Sequence, residues 1–365
     1  MKIKKPEKMK NFLFNKKLLT LIALLPALQT NALEVTKEFR KEFITDKNTV
    51  VDINNRYGNV IVTSWDSNKV DIYVKITVEL PDRNRAEELI SLIDIRFEEM
   101  PGKVSAQTII DEKFSSSVWG ANKRFSIDYT VKMPYNSSLV LANRYGDTFI
   151  DELGGQTDLN VKYGNLTITE LTRGDERPLN HINIAYGKAL IKSAEWLDLY
   201  LRYATMVELP SARALLIDSK YSKIKIGNAS SVVVTSKYDN YSIGKINNIV
   251  MEAGYTTLNV GTIEKKFVIE GSYGSVNVDN VPKDFDSIDI NTKYTGVRIG
   301  IDPAASYKLD GTSSYSSIKF PEEHLTIKKR IIENTSSEIE GIVGTEQNTS
   351  STVKVRTSYG SVKLY

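Results

Sequence analysis

Seven basic residues stand directly before tyrosines: Arg56, Arg144, Lys162, Arg202, Lys220, Lys237 and Lys293. Basic residues repeated along a chain beside aromatic rings are suited to holding anions such as acidic glycans or lipopolysaccharide phosphates, and aromatic strips also bind sugars. Trp119, in "SSSVWGANK", is the single aromatic expected to be exposed for such contact. Groups suited to catalysis are sparse. Two histidines, His181 and His324, lie far apart, which argues against a catalytic triad or a zinc site. Asp151-Glu152 and Asp175-Glu176 read as solvated turn charges, and acids do not recur at one offset through the chain. No calcium repeat, P-loop or dinucleotide fingerprint occurs, so no metal or cofactor is expected. The Asn-x-Ser/Thr triplets at Asn165 and Asn228 are read as chance.

The tyrosines that follow these cations belong to a repeat. Tyr57, Tyr145, Tyr163, Tyr186, Tyr203, Tyr221, Tyr238, Tyr255, Tyr273, Tyr294, Tyr315 and Tyr359 share one pattern. From Tyr145 to Tyr315 they are spaced 18, 23, 17, 18, 17, 17, 18, 21 and 21 residues apart. An apolar residue stands four before most of them, as at Ile53, Leu159, Ile182, Ile217, Val234 and Ile290. Apolar pairs stand three and five after, as at Ile224 and Ile226 or Val276 and Val278. Alternation of period two means strands with one buried face. The parity slips across each tyrosine and its small follower, so a corner is expected there, with positive φ tolerated at the small residue. Gly227, Gly244, Gly261 and Gly300, six after their tyrosines, mark a second corner.

Units this short cannot bury an apolar side alone, but stacked units can. The expected fold is therefore an all-β, single-stranded-type parallel β-solenoid (β-helix) with coils of about 17–21 residues. A β-sandwich would not repeat one corner residue at a near-fixed period. A left-handed hexapeptide helix would place apolar residues every six positions, which these do not follow. A small α/β capping region is expected at 33–140, with a helix over 82–100 followed by a strand pair, "KVSAQTII" with "RFSIDYTVKM". Coils are expected over 141–320. A hairpin with a polar turn at 334–337 and a last coil fill 321–365.

Residues 1–32 read as a cleaved export signal rather than a membrane anchor: a basic stretch, the apolar run "LLTLIALLPAL", and small residues before Leu33. They carry seven Lys and one Glu, so the chain's formal +3 becomes −3 beyond them, and nucleic-acid binding loses its support. The chain has no cysteine, so neither disulfides nor a lipoprotein anchor can form. The expected location is the periplasm or cell surface of a bacterium.

The order "YG-x-Φ-x-Φ", as in "NRYGDTFI" and "VKYGNLTI", resembles the coil motif of the DUF4097-type adhesin family of exported bacterial proteins. The close of the chain is similar too: Gly341, Ile342, Val343, Gly344, then Val353 and Val355, then Thr357, Gly360, Val362 and Leu364. The resemblance covers most of 33–365. It implies one β-helix-like domain and an adhesive or envelope role. The residues themselves leave three readings: a non-enzymatic scaffold binding an acidic glycan or another envelope macromolecule, a β-helix glycan-active enzyme, or a structural spacer. Two carboxylates in a groove along one sheet would favour the enzyme; a flat Lys/Tyr face would favour binding. The basic stripe has a plainer reading as surface solubility.

Overall fold

The computed structural model describes residues 33–46, 49–114 and 124–365. The chain is all-β, hydrogen-bonded into one large, mostly parallel, unclosed sheet. Successive repeats pair in register. Met206–Lys220 pairs in parallel with Lys223–Lys237, which pairs with Asn240–Gly254, which pairs with Thr257–Ser272. One apolar core runs through all of them. Ile224, Ile226, Val276 and Val278 are buried, as are Ile53, Leu159, Ile182, Ile217, Val234 and Ile290.

The corner at each tyrosine differs from expectation in one respect. The left-handed residue is the tyrosine itself, with φ between 50° and 67° at all twelve. The small follower is needed for closeness. A Cβ on Gly146 would lie 1.9 Å from the carbonyl oxygen of Gly58, one on Gly164 1.9 Å from Gly146 O, and one on Gly187 1.9 Å from Gly164 O. Coils with a larger follower turn it inward and tie it back to the chain. Ser222 Oγ donates to Lys220 O at 3.0 Å, and Thr256 Oγ1 to Gly254 O at 3.1 Å. The glycines six after the tyrosine also sit at a tight corner, where a Cβ on Gly244 would meet Gly227 O at 2.6 Å.

A further change of parity was not foreseen. In one repeat the buried side chains are Ile224, Ile226, Ala229, Val232 and Val234. The steps of three at 226–229 and 229–232 each reverse which side of the backbone is buried. Position eight after the tyrosine thus forms another core column: Leu153, Leu171, Ala194, Ala229, Ile246, Ile263 and Val281 are all buried.

The ends depart most from the sequence reading. The helix spans Arg83–Ser91 only, capped by Asp82, whose side chain accepts from Arg85 N. Ile93–Met100 is a strand, because Ile93 and Ile95 are buried while Asp94 and Arg96 are exposed, a period of two. It pairs antiparallel with Lys103–Ile110 across a turn with Gly102 at φ +73°. Lys103–Ile110 and Arg124–Pro134 do not pair with each other. The former lies parallel to Val50–Arg56, and the latter lies parallel to Val60–Trp65 and antiparallel to Lys69–Leu80. Leu33–Ile44 completes that layer, antiparallel to Lys69–Leu80.

At the other end the last coil is out of sequence order. Thr352–Ser358 lies between Ser287–Lys293 and Tyr307–Ser314, parallel to both. Ser361–Leu364 lies in the same way between Gly296–Ile301 and Ser317–Lys319. The hairpin of Leu325–Ile332 and Ser336–Val343 then covers Tyr307–Ser314 through antiparallel pairing.

Two substitutions test this packing. Ile224→Asp places a charge in the core and is expected to destabilise by on the order of 4 kcal/mol, read as loss of the cooperative melt in circular dichroism. Gly164→Ala is expected to lower stability by roughly 1–3 kcal/mol through overpacking. Gly296→Ala, where a Cβ meets nothing within 4 Å, should melt close to the wild type. Equal melting of the two alanine variants would contradict the close-approach account.

Candidate functional site

The twelve tyrosine rings form one stack. Eleven successive pairs have centroids 4.8–5.2 Å apart and planes within 2–19° of parallel. Tyr359 is intercalated between Tyr294 and Tyr315, as the strand order requires. Except at Tyr315, the last ring, each tyrosine N–H donates to the carbonyl of the residue before the next ring. Tyr145 N donates to Lys162 O at 3.0 Å and Tyr203 N to Lys220 O at 3.0 Å; Tyr359 N, at the out-of-order step, donates to Ser314 O at 3.1 Å. Most of the rings are exposed at 40–49%. The column is therefore a continuous aromatic ridge open to solvent on one edge.

The predicted cations stand beside this ridge in register. Arg56 lies opposite Arg144, and Arg144 opposite Lys162. Arg202 lies opposite Lys220, and Lys220 opposite Lys237. Ala185 separates these two blocks. Gly254 and Ser272 separate the second block from Lys293. The stripe is thus two basic triplets and a single lysine.

The cations are not equivalent. Arg202 is bound to Asp218 at 2.9 Å, donates to Leu201 O and Asp218 O, and lies over the Tyr200 ring at 3.6 Å. It acts as a staple between strands. Arg56 donates to the Tyr57 hydroxyl at 3.1 Å. Lys220, Lys237 and Lys293 lie over Tyr221, Tyr238 and Tyr294 at 5.5, 5.8 and 5.6 Å, and among the described residues none of the three has a carboxylate within 4.0 Å. Trp119 falls outside the described residues.

Two arrangements were missed in the sequence. Glu252 and Glu270 are directly opposite each other on neighbouring strands; each stands three residues before its tyrosine, a shared offset that the sequence reading passed over. They line a groove of about 480 Å3 with Tyr255, Gly254, Lys237 and Lys293. The small residues at Gly254 and Gly271 open this groove in the wall between the two lysines. His181 is likewise flanked in register by Asp158 and Asp198, and its Nδ1 is 3.1 Å from Asp198 Oδ2. The signal for both was available only after strands had been aligned by their tyrosines.

Inside the corner lies a polar cluster. The buried Asp239 carboxylate accepts from Ser219 Oγ and Ser236 Oγ at 2.7 Å each, from Ser222 N at 2.6 Å and from Lys237 N at 3.0 Å. Four donors satisfy the anion, and the cluster ties the corners at Tyr221 and Tyr238 together. Ser219 also contacts the Tyr241 hydroxyl. Burial pushes the Tyr241 phenol well above its usual range, and does the same at Tyr129 and Tyr307. Among the described residues no group of three or more His, Asp or Glu is placed to hold a metal ion.

No protein-family model matches the chain, and no curated protein does. Similarity is found among solved structures. One, provisionally described as a cell adhesion protein, is from Clostridium sporogenes: 8% identity, TM-score 0.19, covering 90% of this chain and 99% of that one. A second, provisionally described as a lipid binding protein from Parabacteroides distasonis, has 12% identity and a TM-score of 0.37, covering 67% and 96%. A third, provisionally described as an adhesin from Parabacteroides distasonis, has 10% identity and a TM-score of 0.34, covering 90% and 97%. Each is a distant likeness. No helix among the described residues is long and apolar enough to cross a membrane.

The buried phenols give a pH signature. Their folded pKa values lie above the unfolded value of about 10, so their contribution is intact below pH about 10 and is lost as pH rises further. Stability is expected to fall above that pH. Three of the 19 tyrosines should fail to ionise, by phenolate absorbance, until the chain unfolds. Ionisation of all 19 ahead of the unfolding transition would contradict the burial.

Proposed function

We propose that the protein is an exported, non-catalytic binding scaffold of the DUF4097 adhesin type, a parallel β-solenoid that binds an acidic glycan of the cell envelope. In this reading residues 1–32 are the export signal, 33–140 cap one end, 141–320 are the coils and 321–365 close the other end. The carrying observation is the register of Arg144, Lys162, Lys220, Lys237 and Lys293 beside the tyrosine stack. Within each triplet, cations at the strand spacing of about 4.8 Å present a short line of charge on a backbone that needs no ordering on binding. A polyanion with regularly spaced carboxylates or phosphates meets that line at many points. The adjoining tyrosine edges supply van der Waals contact, and their hydroxyls supply hydrogen-bonding groups, for a sugar lying along the ridge. Arg202, already paired with Asp218, contributes to the rigidity of the line more than to its free charge.

The Glu252–Glu270 pair favours a second reading, a glycan-active enzyme. Glycoside hydrolysis needs one carboxyl protonated and one ionised, so the two must sit in unlike environments. These two are both exposed on one sheet face and repeat the same position in adjacent coils. That symmetry fits hydrogen bonding to hydroxyls better than acid–base division of labour.

Changing Lys162, Lys220 and Lys237 together to Glu is expected to abolish binding to acidic glycans on an array while leaving the melting temperature nearly unchanged. Undiminished binding would remove the basic stripe from the account. Glu252→Gln with Glu270→Gln should leave no polysaccharide cleavage to lose; cleavage by the wild type that the double variant lacks would establish the enzyme instead.

A further inference from the structure

The tyrosine column is finished differently at its two ends. At the N-terminal end the outer face of Tyr57 is covered from within the chain. Phe125 meets it edge-on, with centroids 5.2 Å apart and planes at 62°, and Phe114 packs on Phe125 at 4.9 Å. At the other end the last ring is Tyr315. Tyr359 stacks on one of its faces at 5.1 Å with planes 3° apart. Among the described residues no second ring stacks on it. Tyr315 is 59% exposed, the most of any ring in the column.

The hairpin that covers the neighbouring strand leaves this ring open. The Tyr315 N–H, which elsewhere in the column would bond to a further coil, donates to Thr335 O in the hairpin turn at 2.6 Å. A cavity of about 380 Å3 lies there, with Tyr315 on one side and Ile318, Phe320 and Ile332 among its walls. Arg330, Glu333 and Asn334 supply polar groups. Arg330 is bridged to Glu322 at 3.2 Å, and Glu333 accepts from Ser336 Oγ at 2.9 Å, so the rim is already organised. Glu322 is paired with Arg330 and Glu338 with Lys329 at 2.7 Å, which among the described residues leaves the Glu333 carboxylate as the uncompensated charge at the rim and disfavours an anionic ligand.

We propose that this cavity binds a neutral sugar ring of a glycan, stacked on Tyr315 as a further rung of the column. A pyranose has a flat face of C–H bonds whose positive ends suit the negative face of an aromatic ring. Its hydroxyls need both donors and acceptors around the edge, and a guanidinium, an amide and carboxylates provide both. Apolar walls with few convergent polar groups are the general form of a small-ligand site. The ligand class rests on the glycan-binding reading above, but the residues are separate from the basic stripe.

The test is saturation-transfer NMR of the full-length protein with neutral gluco-, galacto-, manno- and N-acetylglucosamine oligosaccharides. Saturation of sugar ring protons is expected for at least one series. Tyr315→Phe should retain it, and Tyr315→Ala should weaken binding at least tenfold. Asn334→Ala, which leaves the column untouched, should weaken it several-fold and guards against misfolding of the tyrosine variant. The Lys162, Lys220 and Lys237 triple variant should bind the neutral sugar as the wild type does. The proposal is overturned if no neutral oligosaccharide binds, if Tyr315→Ala binds undiminished, or if the triple lysine variant alone abolishes binding. It is also overturned by a concentration-dependent dimer that Tyr315→Ala dissolves, since a second copy would then be the occupant. Acidic-glycan binding that persists while neutral sugars fail sinks this site and leaves the basic stripe standing.

Discussion

Everything in this molecule depends on one backbone spacing. Each repeat is bonded to the repeats on either side at the separation of neighbouring strands, about 4.8 Å, and the ring centroids repeat it at 4.8–5.2 Å. At that distance any residue at a corner must fit the residue at the same corner of both neighbours. Gly146, Gly164 and Gly187 approach the carbonyl below so closely that a single methyl group has no room. The repeat in the sequence is the record of this fit. It needs no common chemistry to explain it.

The same spacing accounts for tyrosine in a conformation that bulky side chains avoid. A left-handed L-residue costs about 1–2 kcal/mol. An offset-stacked aromatic pair returns about 0.5–1.5 kcal/mol beyond its area burial. The two terms are of similar size, so stacking on both neighbours offsets much of the backbone strain. Glycine would take the same backbone angles without strain but would contribute no stacking. The lysines that lie over Tyr221, Tyr238 and Tyr294 add cation–π contact to the same ridge.

Parallel stacks leave open edges, and this chain closes both by turning antiparallel. Lys69–Leu80 does so at one end and Ser336–Val343 at the other. Leu325–Ile332, the outermost strand of the C-terminal hairpin, carries Lys328, Lys329 and Arg330, charges of the kind that discourage pairing with another chain. The hairpin covers the strand before Tyr315 but not the ring itself. Closing the backbone edge and leaving the aromatic edge open are separate outcomes of one short segment.

Much of the parallel stack was legible in the sequence because a strand pairing of constant register imposes a constant period. The tyrosines, the inward columns at Ile217, Val234 and Ile290, and the outward cations at Lys220 and Lys237 all follow from it. The period says nothing of which copy lies on which. Tyr359 belongs between Tyr294 and Tyr315, and Ile290 pairs with Val355, because every coil offers the same shape and only assembly selects the neighbour. The helix reading of 92–100 failed for a related reason: Ile93 and Phe97 fit both periods, and the partner strand Lys103–Ile110 decided between them. The residues alone determined the unit, its inner face and its charged flank. The tertiary structure decided the order of units and the uncovered face of Tyr315, since both depend on contacts between segments that share no local signal.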